Sequence, residues 1–374
     1  MQTVVPETST HLVRLELRDI RGFTEAYLEV DPGSVTVLTG PNGSGKTTFL
    51  EAVAYLGSHR SFRTASRATV VRAGATRGII RAELRRERNP LLVESELRDD
   101  GSARTLVNRT PVHGRAQLAD AVPVTVFSPE DLGLVQGPPA RRRELVDAAL
   151  RLLDPRAAAD LDALDRILRQ RAALLRQAAG RLGSEIVSTL DVWDERLSGV
   201  GTAVSDARRA LLNEAGPLVD DAYASLAGMA RQREKVTVTY VPGWEGNLAV
   251  ALAASRRDDV RRGGPTVGPQ RDEVVLHIGP RDARTRASQG EQRSLALALR
   301  LALHRLVSQR RGSRPLLLLD DVFSELDADR SRALVRELPV GQALLTTAGR
   351  LPEGVVVGVE VGAVVDVRTL GRTA

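Results

Sequence analysis

Eight consecutive residues, Gly40-Pro41-Asn42-Gly43-Ser44-Gly45-Lys46-Thr47, fit the spacing G-x-x-x-x-G-K-S/T. Glycines at these positions let successive backbone N–H groups turn toward a phosphate, and a helix starting at the end of the loop adds the partial positive charge of its N-terminus. Lys46 then reaches the β- and γ-phosphates of ATP, Thr47 offers a hydroxyl to Mg²⁺, and Thr48 closes the ATP-binding segment. The lysine stands out. Of 53 Lys and Arg residues only Lys46 and Lys235 are lysines, so this position asks for a compact ammonium in a chain that otherwise uses arginine. Two carboxylates, Asp320 and Asp321, follow an all-apolar run. Asp320 suits a Mg²⁺-holding role and Asp321 that of a general base polarising the attacking water, the alternative being that one of the pair caps the next helix. Ser288-Gln289-Gly290-Glu291-Gln292 precedes a long helical pattern and makes a second anion site at a helix start. One chain has no need of two γ-phosphate sites. The sensible use of the second is in trans, on ATP held by another subunit, which implies an ATP-dependent homodimer.

The elements around these residues are legible. Val35–Thr39 is an apolar, β-branched run that reads as a buried strand, and Thr48–Leu56 has helical character, so the glycine loop sits between strand and helix. Pro315–Leu319 reads as a buried parallel strand, whose carboxyl end faces the ligand crevice. Lys46 and Asp320 are 274 residues apart, far more than one β-α-β crossover requires, so a large insertion separates the two halves of the site. From Pro139 to about Gly216 the chain is rich in Ala, Leu and Arg. Leu161, Leu164, Leu168, Leu175 and Leu182 recur on a 3–4 rhythm with Arg171 and Ala178 between them, and after Gly180 and Gly183 the rhythm returns from Ile186 to Leu211. This predicts an antiparallel helical hairpin with arms of roughly 25 residues, about 37 Å long. Its leucines and Trp193 are core, and Arg151, Arg166, Arg169, Arg171 and Arg176 form an outer face, solvated or touching DNA.

Composition narrows the function classes. At 374 residues the prior is two to three domains, and 42% hydrophobic with 27% charged residues suits a soluble fold. Zero cysteine excludes disulfides, thiol catalysis and thiolate metal sites, and 3% aromatics argues against base-stacking platforms. Residues 1–10 lack a secretory pattern and no run approaches the ~18 apolar residues of a spanning helix, so a cytoplasmic protein without a membrane partner is expected. The net charge of +6 favours a polyanionic partner. Between Ser58 and Arg88 lie nine arginines and only Glu83 and Glu87 as acids, with Arg60, Arg63, Arg67 and Arg72 the candidate DNA contacts, to the backbone rather than to bases. His11, His59, His113, His277 and His304 show no metal-ligand spacing and read as structural or surface residues. Thr346 and Thr347, after the apolar run Ala343–Leu345, sit where a γ-phosphate sensor could act.

Taken together, Ser288–Arg293, Leu316–Asp321 and the continuation Val322-Phe323-Ser324-Glu325-Leu326-Asp327 resemble the signature, Walker B and D-loop segments of ABC/SMC-like ATPases, in the wording of the RecF family. Phe127–Asp147, Gly268–Glu273 and Arg18–Phe23 are similar to further RecF segments, with Gln270, Glu273 and Gly22-Phe23 departing from the family wording. The resemblance spans roughly residues 11–350. It implies an α/β ABC/SMC-like P-loop ATPase head with an inserted helical lobe containing a short antiparallel hairpin, and adds Asp327 to the segments that meet ATP in trans. The domains expected are an extension at 1–10, the first half of the head at 11–138, the lobe at 139–230 and the second half at 231–374. The activity it implies is a weak, DNA-stimulated ATPase in recombinational repair and replication-fork maintenance, part of the SOS response, with duplex and gapped DNA, RecR, RecO and RecA as partners. A membrane-transporter ATPase subunit is the alternative. The hairpin insertion, the arginine density and the Ser-Gln-Gly-Glu-Gln wording speak against it.

Overall fold

The computed structural model describes residues 9–64, 66–87, 89–112, 114–227, 234–338, 341–348 and 361–373. Arg88, His113 and residues 1–8 of the expected extension lie outside the described residues. The strands in chain order are β1 (Thr10–Ile20), β2 (Phe23–Glu29), β3 (Val35–Thr39), β4 (Arg77–Arg86), β5 (Asn89–Arg98), β6 (Ala103–Val107), β7 (Thr110–Val112), β8 (Val124–Phe127), β9 (Val236–Val241), β10 (Glu273–Ile278), β11 (Arg281–Asp282), β12 (Leu316–Asp320), β13 (Ala343–Thr347), β14 (Val361–Asp366) and β15 (Gly371–Thr373). The helices are α1 (Lys46–Ser58), α2 (Arg115–Ala121), α3 (Gly133–Gln136), α4 (Pro139–Leu153), α5 (Pro155–Gln177), α6 (Ser184–Ala227), α7 (Leu248–Arg262), α8 (Ala283–Arg286), α9 (Gln289–Arg311) and α10 (Ala328–Glu337). Among the described residues no helix is long and apolar enough to cross a membrane.

Two compact units form. The first takes the chain to Asp131, a stretch from Ala222, and the chain from Leu297 onward. It holds a five-stranded parallel sheet of order β14-β3-β13-β12-β8 and a seven-stranded antiparallel sheet of order β15-β2-β1-β4-β5-β6-β7. β12 and β13 are buried at every residue, as near-continuous apolar runs in a parallel sheet should be. β4 instead alternates buried and open residues, the pattern of a sheet with one wet face. α1 touches strands of both sheets, and eleven of its thirteen residues are buried. Its Phe49 ring meets Phe23 of β2 edge-on, 5.3 Å between centroids. Parallel registry sets Leu319 beside Leu345 and Phe127, and Leu345 beside Val37, so β3, β13, β12 and β8 end together at their carboxyl ends.

The second unit takes Leu132–Asp221 and the described residues from 234 to Ala296. The expected hairpin is present as α5 and α6, joined across Gly180–Gly183, but α6 is longer than expected. It has 44 residues, about 66 Å at 1.5 Å per residue, and runs past Leu211, where the expected rhythm stops, through Gly216-Pro217 to Ala227. Leu211, Leu212, Ala215, Val219 and Ala222 on either side of the proline are all buried, and that packing outweighs the lost backbone hydrogen bond. The seam of α5 uses Ile167 in place of Leu168, and Leu182 is exposed. Two arginines assigned to the outer face are corrected. Arg171 is fully buried, donating to Asp194 at 2.8 Å and Asp259 at 2.7 Å, and Arg151 is nearly so, held by Asp162 at 2.6 Å. Arg166, Arg169 and Arg176 do face solvent. In the Gly268–Glu273 segment Asp272 is the hub. Its carboxylate accepts from Gly243 N at 2.7 Å, Ser205 Oγ at 2.9 Å, Arg208 and the Tyr240 hydroxyl. Glu273 meets Arg142, and Gln270 donates to Val267 O.

Burial also sets the acid response of the first unit. His59 bonds to Thr105 and His304 to Thr125, and desolvation, aided by nearby arginines, holds both imidazoles down at about 4. The folded state keeps them neutral while the unfolded chain, near 6.5, takes up protons, so their stabilisation is complete above pH 6.5 and fades as pH falls toward 4. The melting temperature should therefore fall between pH 6.5 and 5, with a loss on the order of 2 kcal/mol for each histidine by pH 5. A His304→Gln variant should show a visibly flatter profile over that window in calorimetry; an unchanged profile would exclude the imidazole as its source.

Candidate nucleotide site

The glycine loop leaves β3 and enters α1, and its backbone has a positive φ at three glycines, Gly40 (φ 146°) among them. Gly43 (φ 80°) and Gly45 (φ 94°) are left-handed, and a Cβ on Gly45 would lie 2.4 Å from the Phe23 ring. Lys46 is almost buried, and its ammonium donates to Gly40 O at 2.8 Å and Pro41 O at 2.9 Å, folded over the loop that it serves. From β12, Asp320 accepts from Thr47 Oγ1 and from Thr346 Oγ1, each at 2.8 Å, on one carboxylate oxygen. Burial pushes the Asp320 carboxyl up, against the hydrogen bonds of Thr346 and Thr47. Thr346 also accepts from Asp321 N at 2.9 Å, so β13 fixes the Asp320–Asp321 peptide from the side. Asp321 is left-handed (φ 48°) and makes no side-chain cap to the turn that follows. Its Oδ1 is buried without a hydrogen-bond partner, as is Ser44 Oγ. The capping alternative for Asp321 is thereby set aside.

A cavity of about 1020 Å³ is lined by Asn42–Thr48, Asp321 and Thr346 together with Arg21, Gly22, Phe23, Arg63, Ala68, Thr69, 71–76 and Asp99. The rim is zipped by Arg21 N to Val70 O at 2.9 Å and Arg72 N to Asp19 O at 2.8 Å. The donors suit MgATP: a lysine and helix N-terminus for phosphates, a hydroxyl and a carboxylate of hard-oxygen character for Mg²⁺, and an unpartnered carboxylate oxygen beside them.

The four arginines expected to touch DNA are split by the structure. Arg63 and Arg72 line the nucleotide cavity, paired with Glu51 at 3.4 Å and Asp19 at 2.7 Å. Arg60 and Arg67 are exposed outside it. Farther along, Arg81 is held by Glu94 and Glu16 from neighbouring strands, and Arg86 by Asp120. The 58–88 window looks unbalanced along the chain because its acids arrive from neighbouring strands and from α1 and α2.

In the second unit, Ser288 opens α9 as a capping box. Its N–H donates to Glu291 Oε2 at 2.7 Å and its hydroxyl to the same oxygen at 2.8 Å. Burial pushes Glu291 up, but the Ser288 bonds and the Arg281 guanidinium prevail and hold it at about 2. Gln292 donates to Ala283 O, and Gln289 and Gly290 form the first turn. In the first unit, Asp327 caps α10 through Arg330 N at 2.8 Å. Arg21 and Glu51 escaped the residue-by-residue reading of the sequence. A lone carboxylate inside Thr48-Phe49-Leu50-Glu51-Ala52-Val53-Ala54 is the signal that could have found Glu51.

Comparison with known proteins bears on this site. The chain matches the RecF/RecN/SMC N terminal domain family over residues 11–343. It is 39% identical over 354 residues to the DNA replication and repair protein RecF of Streptomyces avermitilis, covering 90% of this chain and 93% of that one. It is also similar to the solved structure of the recombination mediator protein RecF-ATPrS in the RecFOR pathway, with TM-score 0.79 and 25% identity over 96% of this chain and 98% of that one. A solved Smc head bound to the C-winged helix domain of ScpA shares the fold at TM-score 0.52 and 13% identity, over 93% and 92% of the two chains.

Proposed function

The chain belongs to the RecF family of ABC/SMC-like ATPases, and from that premise we propose that it is an ATP-dependent DNA-binding protein of replication and recombinational repair, whose ATP site is completed by a second copy of itself. The observation that carries the reading is the gathering of Lys46, Thr47 and Asp321 around one cavity, with Asp320 bonded to Thr47 and with an Asp321 carboxylate oxygen buried without a partner. Lys46 exchanges its contacts with Gly40 O and Pro41 O for the β- and γ-phosphates of ATP. Thr47 and Asp320 would hold Mg²⁺, which supplies neutralisation of the phosphate charge. Asp321 Oδ1 accepts the proton of the attacking water, and Thr346 keeps that carboxylate in place through the Asp321 N–H. Ser288–Gln292 and Asp327 of the partner close over the γ-phosphate. The cycle is then a switch: ATP joins two copies head to tail around duplex or gapped DNA, and slow hydrolysis releases them. The pathway named for the solved RecF relative supports RecO and RecR as partners, and the family resemblance adds support of RecA loading.

The test is steady-state ATP hydrolysis against protein concentration, with and without gapped duplex DNA, at two salt concentrations. A more-than-linear rise that DNA stimulates and salt weakens is expected, since a composite site needs two chains and phosphate contacts release counterions. A linear rate indifferent to DNA would overturn the composite-dimer reading.

A further inference from the structure

Glu51 lies one turn beyond Thr47 on α1, is 1% exposed, and is surrounded by donors. Arg21 meets it with both arms, Nε to Oε2 at 2.9 Å and Nη2 to Oε1 at 2.5 Å. Ser61 Oγ donates to Oε1, and Arg63 Nη1 reaches Oε2 at 3.4 Å. One carboxylate thus gathers three side chains from two separate segments, the β1–β2 turn and the loop after α1. Both arginines line the nucleotide cavity together with the glycine loop. Arg21 sits in a left-handed turn (φ 52°) and spends Nη1 on Thr69 O at 2.6 Å, so its guanidinium is held at both ends.

Resting on the nucleotide-site reading above, we propose that Glu51 is a positioning residue for nucleotide binding, which fixes Arg21 and Arg63 as an oriented guanidinium pair in the wall of the ATP cavity. A buried carboxylate that only balanced charge would oppose a polyanion. Its role here is geometric: it removes the rotamer freedom of two long side chains before ATP arrives, so that cost is not met on binding. The carboxylate matches the planar fork of Arg21, which an amide, with one acceptor oxygen, cannot do.

The two roles differ in the sign of one measurement. If Glu51 merely counters charge near the site, Glu51→Gln leaves the cavity more positive and tightens ATP binding. If Glu51 positions the arginines, the same change weakens it. We expect Glu51→Gln to raise the Kd for ATP about tenfold by titration calorimetry with magnesium present, and Arg21→Ala/Arg63→Ala to raise it at least as much. Adding Glu51→Gln to that double variant should change the Kd by less than about twofold, because residues acting as one unit are not additive. Glu51→Asp, which keeps the charge and shortens the reach, should fall between the wild type and Glu51→Gln. Unchanged or tighter binding by Glu51→Gln would overturn the proposal, as would an undiminished effect in the arginine-less background. Melting temperatures of all variants separate a folding defect from a binding one, with the arginine-less cycle deciding if Glu51→Gln folds poorly. A wild-type chain that failed to bind ATP would instead overturn the nucleotide-site reading itself.

Discussion

Replacing Asp321 by asparagine should reduce ATP turnover 10²- to 10³-fold while leaving ATP affinity within about threefold of the wild type. The prediction rests on a division of labour between adjacent carboxylates. One oxygen of Asp320 is committed to Thr47 and Thr346, whereas Oδ1 of Asp321 is buried in the cavity wall with nothing to bond. Asparagine is a clean probe because it tolerates the left-handed backbone that Asp321 adopts and keeps the N–H that Thr346 accepts. Binding and turnover should therefore separate, and the variant should accumulate in its ATP-bound state. Turnover within tenfold of wild type, in a variant that still binds ATP, would place the base elsewhere.

The largest effect on stability should come from the helical hairpin. Arg171→Ala is expected to cost about 3–5 kcal/mol, because it leaves Asp194 and Asp259 buried without their shared cation. Arg256 still reaches Asp194 at 2.8 Å and Thr266 still donates to Asp259, so the loss should fall short of two fully orphaned charges. Denaturation in urea followed by far-ultraviolet circular dichroism reads the change. A loss below about 1 kcal/mol would show that water reaches the cluster in the folded protein.

What was legible in the sequence follows from how local each signal is. The glycine loop, β3, β12 and β13 are written in consecutive residues, and their strands appear within a residue or two of where the apolar runs place them. The hairpin was legible as a rhythm, but its end was not. A local breaker, Gly216-Pro217, competes with apolar positions farther along, and only packing decides between them. Charge was the least readable property. Arg171 is written as one more arginine on a helix, and the aspartates that bury it lie 23 and 88 residues away. Arg63 likewise finds its acid on α1, and Arg72 and Arg81 find theirs on other strands, so part of a window rich in cations is paired in space. Thr346 stands out in the sequence only for its place after a strand, and its partners, Asp320 and Asp321, come from the end of the strand beside it.

The order β14-β3-β13-β12-β8 also has a consequence in time. β3 carries the glycine loop near the start of the chain, yet both of its neighbours, β13 and β14, begin only at Ala343 and Val361. At about 5–20 residues per second of synthesis, β3 waits roughly 15–60 s before either neighbour exists. Through that interval an apolar strand has no native partner, while the seven-stranded sheet beside it can already pair β1, β2, β4 and β5. A chain halted on the ribosome before Ala343 therefore has its phosphate loop in sequence but no native neighbour for the strand that carries it, and the loop gains its sheet only once β13 and β14 have been made.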